Sequence, residues 1–213
     1  MVKADYRRLS GLYAITPEDS DTARLVSKVC AALEGGAAVI QYRAKQAADA
    51  LALEQVSALY HLCASFSVPL IINDSIDLAE KVGADGVHLG RDDCSLAEAR
   101  KRLHDRIIGV SCYNDFLLAE RAIGQGADYV AFGSFFPSSI KPHAVRANLD
   151  LLHLSRCRGF NVVAIGGITA DNAGTLIAGG ADAVAVISAL FDGEDLGRIR
   201  ANAEALAQLF HHA

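Results

Sequence analysis

Gly83-Ala84-Asp85-Gly86-Val87-His88-Leu89 closes a helical pattern and opens a short apolar run. Gly36-Ala37-Ala38, Gly126-Ala127-Asp128 and Gly180-Ala181-Asp182 do the same, at separations of 47, 43 and 54 residues. One strand with its following helix takes roughly 25 residues, so each interval holds about two such units and the chain about eight. Working outward, the apolar runs are Gly11 to Thr16, Ala37 to Gln41, Pro69 to Ile72, Gly86 to Leu89, Ile107 to Val110, Tyr129 to Phe132, Val162 to Ile165 and Ala183 to Ile187. Between them apolar residues recur at helical spacing, as in Leu25, Val26, Val29, Cys30 and Leu33, or Val56, Leu59, Tyr60 and Cys63. Ser95-Leu96-Ala97-Glu98 matches a capping box, which starts the fourth helix and leaves Asp92 and Asp93 in the loop before it. The predicted fold is α/β: one (β/α)8 TIM barrel of parallel strands over residues 1–213. An open doubly wound sheet is the alternative, but Thr16-Pro17-Glu18 stands where a GxGxxG fingerprint would follow the first strand.

A chain of 213 residues with 52% hydrophobic and 21% charged residues and 4 prolines has the composition of a globular domain, not of a disordered or fibrous one. The net charge of −5 argues against broad binding to nucleic acid or membrane surfaces, so an anionic ligand needs a local cluster of cations. Five cysteines, scattered and without CxxC spacing, indicate reduced thiols and neither a disulfide framework nor a zinc site. Met1 to Ser10 is polar, and no window reaches the roughly 18 apolar residues of a membrane span; the expected location is cytoplasmic.

In such barrels the chemistry sits at the C-terminal strand ends. Gln41-Tyr42-Arg43-Ala44-Lys45 follows the second apolar run, and alternation puts Gln41, Arg43 and Lys45 on one side. Cations gathered where a core should be point to a phosphorylated ligand, unless Arg43 and Lys45 are simply solvated loop charges. After strand three comes Asn73-Asp74, and after strand four Asp92-Asp93. These carboxylates suit Mg2+, which takes one or two of them and completes its octahedron with water and phosphate. Asn73 or Asp74 as a helix cap is the competing reading.

Gly133 to Pro142, after strand six, combines glycine, serines and Lys141 in a loop suited to wrapping phosphate or to idling at the surface. Gly166-Gly167-Ile168-Thr169 and Ile187-Ser188, after strands seven and eight, mark the usual phosphate corner, with turn geometry as the plainer account of the glycines. Ser111 ends strand five, facing the mouth or starting the next helix with Asn114. His88 reads as a satisfied structural histidine, and Cys112 as a weak nucleophile candidate.

Taken in order, these motifs resemble the thiamine phosphate synthase family over nearly the whole chain. The carriers are Gln41 to Lys45 (QxRxK), Asn73 to Ala79 (NDxxDLA), Gly86 to Gly90 (GVHLG), Gly109-Val110-Ser111, the strand-six loop through Lys141, Ala164 to Ile168, and Val186-Ile187-Ser188. The resemblance implies a Mg2+-dependent transferase of thiamine biosynthesis. It would join hydroxymethylpyrimidine diphosphate to hydroxyethylthiazole phosphate, or the carboxylate form of the latter, and release diphosphate. It further implies that Gln41, Arg43, Lys45, Asn73, Ser111 and Lys141 hold the pyrimidine diphosphate. Of these, Arg43, Lys45, Lys141 and Ser111 would be catalytic. Asp74 and Asp93 would bind the metal, and Ser138, Ser139, Gly167, Ile187 and Ser188 the thiazole phosphate.

The implied partners are phosphorylated small molecules, with no nucleic acid or membrane; the oligomeric state, a homo-oligomer included, is left open. Ile140 departs from the family pattern where a threonine is usual, Ser138 replaces a second threonine, Ser134 a proline and Ser75 an arginine. A TenI-like thiazole tautomerase and a non-catalytic phosphate-ligand sensor are the rival readings. The first has no need of Gln41, Arg43, Lys45 and Lys141, and the second none of the magnesium carboxylates.

Overall fold

The computed structural model describes residues 8–91, 93–137 and 145–211. Eight parallel strands close into a barrel in chain order, with β8 bonded back to β1. They are β1 (Gly11–Ile15), β2 (Ala37–Tyr42), β3 (Leu70–Asn73), β4 (Gly86–Leu89), β5 (Ile107–Tyr113), β6 (Tyr129–Phe132), β7 (Val162–Ile165) and β8 (Ala183–Val186). Helices α1 (Thr22–Glu34), α2 (Asp49–Phe66), α3 (Ile76–Val82), α4 (Leu96–Leu103), α5 (Phe116–Gly124), α6 (Asp150–Cys157) and α7 (Ala170–Gly179) follow β1 to β7 in turn. A four-residue α8 (Ser188–Phe191) and α9 (Leu196–Gln208) follow β8, and α9 packs against α1. The (β/α)8 fold expected from the repeat is therefore present. Two strands outrun their apolar signal: β2 continues to Tyr42, and β5 continues to Tyr113 past a register irregularity after Ser111.

Each strand is buried on both faces, which is why the runs read as nearly continuous apolar segments. One face fills the barrel with Tyr13, Ile15, Val39, Ile71, Tyr129, Ala131, Val163, Ala183 and Ala185. The alternate residues, among them Leu12, Ala14, Ile40, Leu70, Ile72, Val130 and Ala164, meet the helix layer.

The Gly-Ala-Asp repeat has a mechanical cause. Asp85, Asp128 and Asp182 stand just before β4, β6 and β8, and each carboxylate reaches back to the preceding strand. They accept from the amides of Leu70 (2.9 Å), Ile108 (2.7 Å) and Val162 (2.8 Å). Their own amides donate to the carbonyls of those same three residues. Three reciprocal staples thus tie β3 to β4, β5 to β6 and β7 to β8 at the N-terminal end of the barrel, so the repeat spans two strand–helix units rather than one.

Candidate active site

The opposite, C-terminal end opens into a cavity of about 1120 Å³. Alternation along β2 holds: Gln41 is buried and its Nε2 donates to the Tyr13 hydroxyl at 2.8 Å, while the Tyr42 hydroxyl turns outward and donates to Gln55 Oε1 at 2.8 Å. Arg43 and Lys45 lie beyond the strand end and still line the cavity with Gln41. The loop after β1 holds them there. The Arg43 amide donates to Thr16 Oγ1 (2.9 Å), the Lys45 amide donates to Glu18 Oε1 (2.8 Å), and the Arg43 guanidinium lies 3.8 Å from Glu18.

Asn73 ends β3, and Asp74 follows with a φ of 65°, the left-handed region that non-glycine residues seldom adopt. Ser75, not Asn73 or Asp74, caps α3 by accepting from the Leu78 amide at 3.2 Å, so the capping alternative is corrected. The Asp74 carboxylate instead lies 3.4 Å from Lys45 Nζ. Across the rim Asp93 accepts from the Gly90 amide at 2.6 Å, and Ser95 caps α4 as expected. Partial burial raises the Asp93 carboxyl above its ordinary pKa, and the neighbouring Asp74 side chain adds to the rise; the Gly90 amide and Lys45 oppose it. Two crowded carboxylates with hard oxygens fit a cation such as Mg2+. Among the described residues no group of three or more His, Cys, Asp or Glu could hold a metal, so water and ligand oxygens would complete the shell.

The floor of the cavity is a buried polar cluster. His88 Nδ1 is 2.9 Å from the Tyr129 hydroxyl, His88 Nε2 is 2.9 Å from Ser111 Oγ, and the two tyrosine hydroxyls are 2.8 Å apart. His88 is the satisfied histidine foreseen, and burial pushes its imidazole down to about 4. Ser111 lies inside β5 rather than at its end, and Asp115 caps α5 by accepting from Leu118, so Ser111 starts no helix and lines the cavity. Cys112 is buried and its thiol is pushed up to about 12 by desolvation, the opposite of an activated nucleophile.

At the far side Gly166 and Gly167 have φ values of 105° and 65°. A Cβ on Gly167 would run into Phe136 and the Pro137 carbonyl, so this glycine serves both turn geometry and close approach of the strand-six loop. Gly167, Ile187 and Ser188 share the cavity wall. Asp92, Ser138, Ser139, Ile140 and Lys141 lie outside the described residues. Sequence reasoning missed Tyr13, Tyr129, Thr16 and Glu18. The two tyrosines carry a usable signal, since each sits two residues before an inward-facing Ile15 or Ala131 and so faces the barrel interior.

An eight-stranded parallel barrel whose strand ends set two cations beside two carboxylates over a deep cavity defines a TIM-barrel enzyme. Residues 12–190 match the family model described as thiamine monophosphate synthase. A thiamine-phosphate synthase of Methylobacillus flagellatus is 53% identical over 204 residues, covering 95% of this chain and 96% of that protein. One of Nitrosospira multiformis is 52% identical over 209 residues, covering 97% and 88%. Among solved structures, thiamine phosphate pyrophosphorylase from Pyrococcus furiosus is similar with a TM-score of 0.84 at 35% identity, over 97% of this chain and 98% of that one. The chain belongs to the thiamine monophosphate synthase family.

Proposed function

We propose that the protein condenses hydroxymethylpyrimidine diphosphate with hydroxyethylthiazole phosphate to thiamine phosphate and diphosphate, or with the carboxylate form of the thiazole to the same products plus carbon dioxide. The observation that carries this is the rim on which Arg43, Lys45, Asp74 and Asp93 converge, beside a separate corner formed by Gly167, Ile187 and Ser188. In the reaction the bond from the pyrimidine methylene carbon to the diphosphate oxygen breaks, and its electron pair leaves with the diphosphate. The thiazole nitrogen lone pair then forms the new C–N bond.

No proton needs to move between the reacting atoms, which agrees with a His88 held neutral and a Cys112 held as a thiol. The task is to stabilise charge gathering on the departing diphosphate. Arg43 and Lys45 do so by donating hydrogen bonds, while Gln41, Asn73 and Ser111 seat the pyrimidine. Asp74 and Asp93 would hold Mg2+, which supplies further neutralisation of the diphosphate. Lys141 is assigned to the same clamp, and Ser138 and Ser139 to the thiazole phosphate with Gly167, Ile187 and Ser188.

A cytoplasmic enzyme acting without nucleic acid or membrane belongs to the same reading. Among the described residues no helix is long and apolar enough to cross a membrane. The test mixes purified protein with both substrates and magnesium. Thiamine phosphate and diphosphate are expected in equal amounts, and no product at any magnesium level overturns the reading.

A further inference from the structure

The cluster on the cavity floor has a direction. Gln41 Nε2 donates to the Tyr13 hydroxyl, and the contact between the Tyr13 and Tyr129 hydroxyls at 2.8 Å allows either to donate; only with Tyr13 as donor do both buried hydroxyl protons find an acceptor. Tyr129, already accepting, has one proton to give, and its neighbour at 2.9 Å is His88 Nδ1. A neutral imidazole that accepts at Nδ1 carries its hydrogen on Nε2, which faces Ser111 Oγ at 2.9 Å. Ser111, accepting from His88, is left with one hydroxyl proton, on the side that lines the cavity.

The tyrosines and the histidine are fully buried or nearly so, and the His88 and Tyr129 rings stack with centroids 5.6 Å apart, so no water shell competes for these protons. Gly109 makes room for the arrangement, because a Cβ there would collide with the Tyr129 ring and hydroxyl.

We propose that Gln41, Tyr13, Tyr129 and His88 form a one-way hydrogen-bond chain that fixes Ser111 as a donor into the cavity, making Tyr129 and His88 positioning residues for an acceptor atom of the pyrimidine substrate. A site built around one oriented donor discriminates against analogues that lack the acceptor. The assignment of the substrate rests on the function proposed above; the direction of the chain does not.

The direct test is solution NMR of the free protein with nitrogen-labelled histidine, the His88 signals being identified by their loss in His88→Asn. Wild type and Tyr13→Phe are expected to carry the hydrogen on Nε2, since Tyr129 still donates in both. Tyr129→Phe removes the donor to Nδ1, and the two tautomers should mix. In the kinetic arm Tyr129→Phe lowers kcat/KM roughly tenfold, the scale of one oriented hydrogen bond. Ser111→Ala added to Tyr129→Phe then costs much less than Ser111→Ala alone.

A wild-type Nδ1–H tautomer, a tautomer unmoved by Tyr129→Phe, or additive kinetic losses would each overturn the proposal. Should Tyr129→Phe not fold, the wild-type tautomer alone decides. If the wild type makes no thiamine phosphate, the functional reading falls while the NMR arm still decides the chain.

Discussion

The two ends of this barrel use the same side chain for opposite purposes. At the N-terminal end Asp85, Asp128 and Asp182 are satisfied by the chain itself. Each takes a strand amide, and Asp128 and Asp182 also take Arg100 (2.6 Å) and Arg8 (2.9 Å). At the C-terminal end Asp74 and Asp93 crowd each other, Asp93 is held above its ordinary pKa, and among the described residues the ion pair they make is that of Asp74 with Lys45 at 3.4 Å. A carboxylate whose hydrogen bonds are complete adds stability, whereas one left beside another carboxylate is poised for something outside the chain. Substitutions at the two ends should therefore separate cleanly into losses of activity and losses of stability.

The largest effect is expected at the rim. Arg43→Ala should lower kcat/KM by about two to three orders of magnitude, the scale of losing one preorganised donor to developing negative charge. The melting temperature should barely move, because among the described residues the guanidinium has only the long contact to Glu18 to lose. A large fall in melting temperature with activity preserved per folded molecule would reverse the contrast between the two ends. Asp74→Asn comes next. It removes one of two metal-binding carboxylates, so the magnesium concentration for half-maximal activity should rise about tenfold or more, read from a magnesium titration of the initial rate. An unchanged magnesium dependence would move the metal away from Asp74.

The fold was more legible than the site for a reason visible in these same residues. The Gly-Ala-Asp staples recur because barrel geometry recurs, and recurrence survives in one sequence. The mouth is built once, from single residues on different strands. Arg43 and Lys45 do line the cavity, but β2 ends at Tyr42 and the contacts of their amides to Thr16 and Glu18, rather than alternation, hold them there; Ser95 as a cap correctly freed Asp93. Ser75 did the same for Asp74, but its capping bond competes with equally good caps at Asn73 and Asp74, which a linear pattern cannot rank. The floor stayed hidden for another reason. Tyr13 and Tyr129 lie 116 residues apart, and only strand closure brings their hydroxyls to 2.8 Å. Thr16 and Glu18, likewise, support Arg43 and Lys45 across 27 residues of chain through backbone amides, for which side-chain identity gives little signal.

Asp128→Ala tests the other end. It strips the acceptor from the Ile108 amide and from Arg100 together, and a lost hydrogen bond to a charged group is worth about 2 kcal/mol. In a chain of 213 residues that corresponds to a fall in melting temperature of roughly 4 to 8 °C. Because the staple lies at the far end of the barrel from the cavity, kcat/KM should stay within about twofold of wild type. A much larger loss of activity at a temperature where the variant is fully folded would show that the two ends are coupled through the strands.

The smallest effect tests whether position at the upper end is enough to make a carboxylate functional. Asp19 lies in the loop after β1, at the same end as the cavity, yet its side chain is only 2% exposed and is taken up by its own chain. Arg24 donates to it at 2.7 and 2.9 Å, and Lys28 lies 3.3 Å away. The Arg24 hydrogen bonds, helped by the Asp21 amide and Lys28, outweigh burial and hold the carboxyl near 2 against an ordinary 3.8. With the folded pKa below the unfolded one, the stabilisation is present in full above the unfolded value and drains away as pH falls through the folded one. Melting curves of wild type and Asp19→Asn should therefore differ by a constant gap above about pH 5 that closes by about pH 1. A gap that persists at the acid end would mean that Asp19 acts through packing rather than charge. Closure on schedule, with magnesium dependence unchanged, would place Asp19 with the stapling aspartates despite its location, and would leave completeness of hydrogen bonding, rather than address on the barrel, as what distinguishes the two kinds.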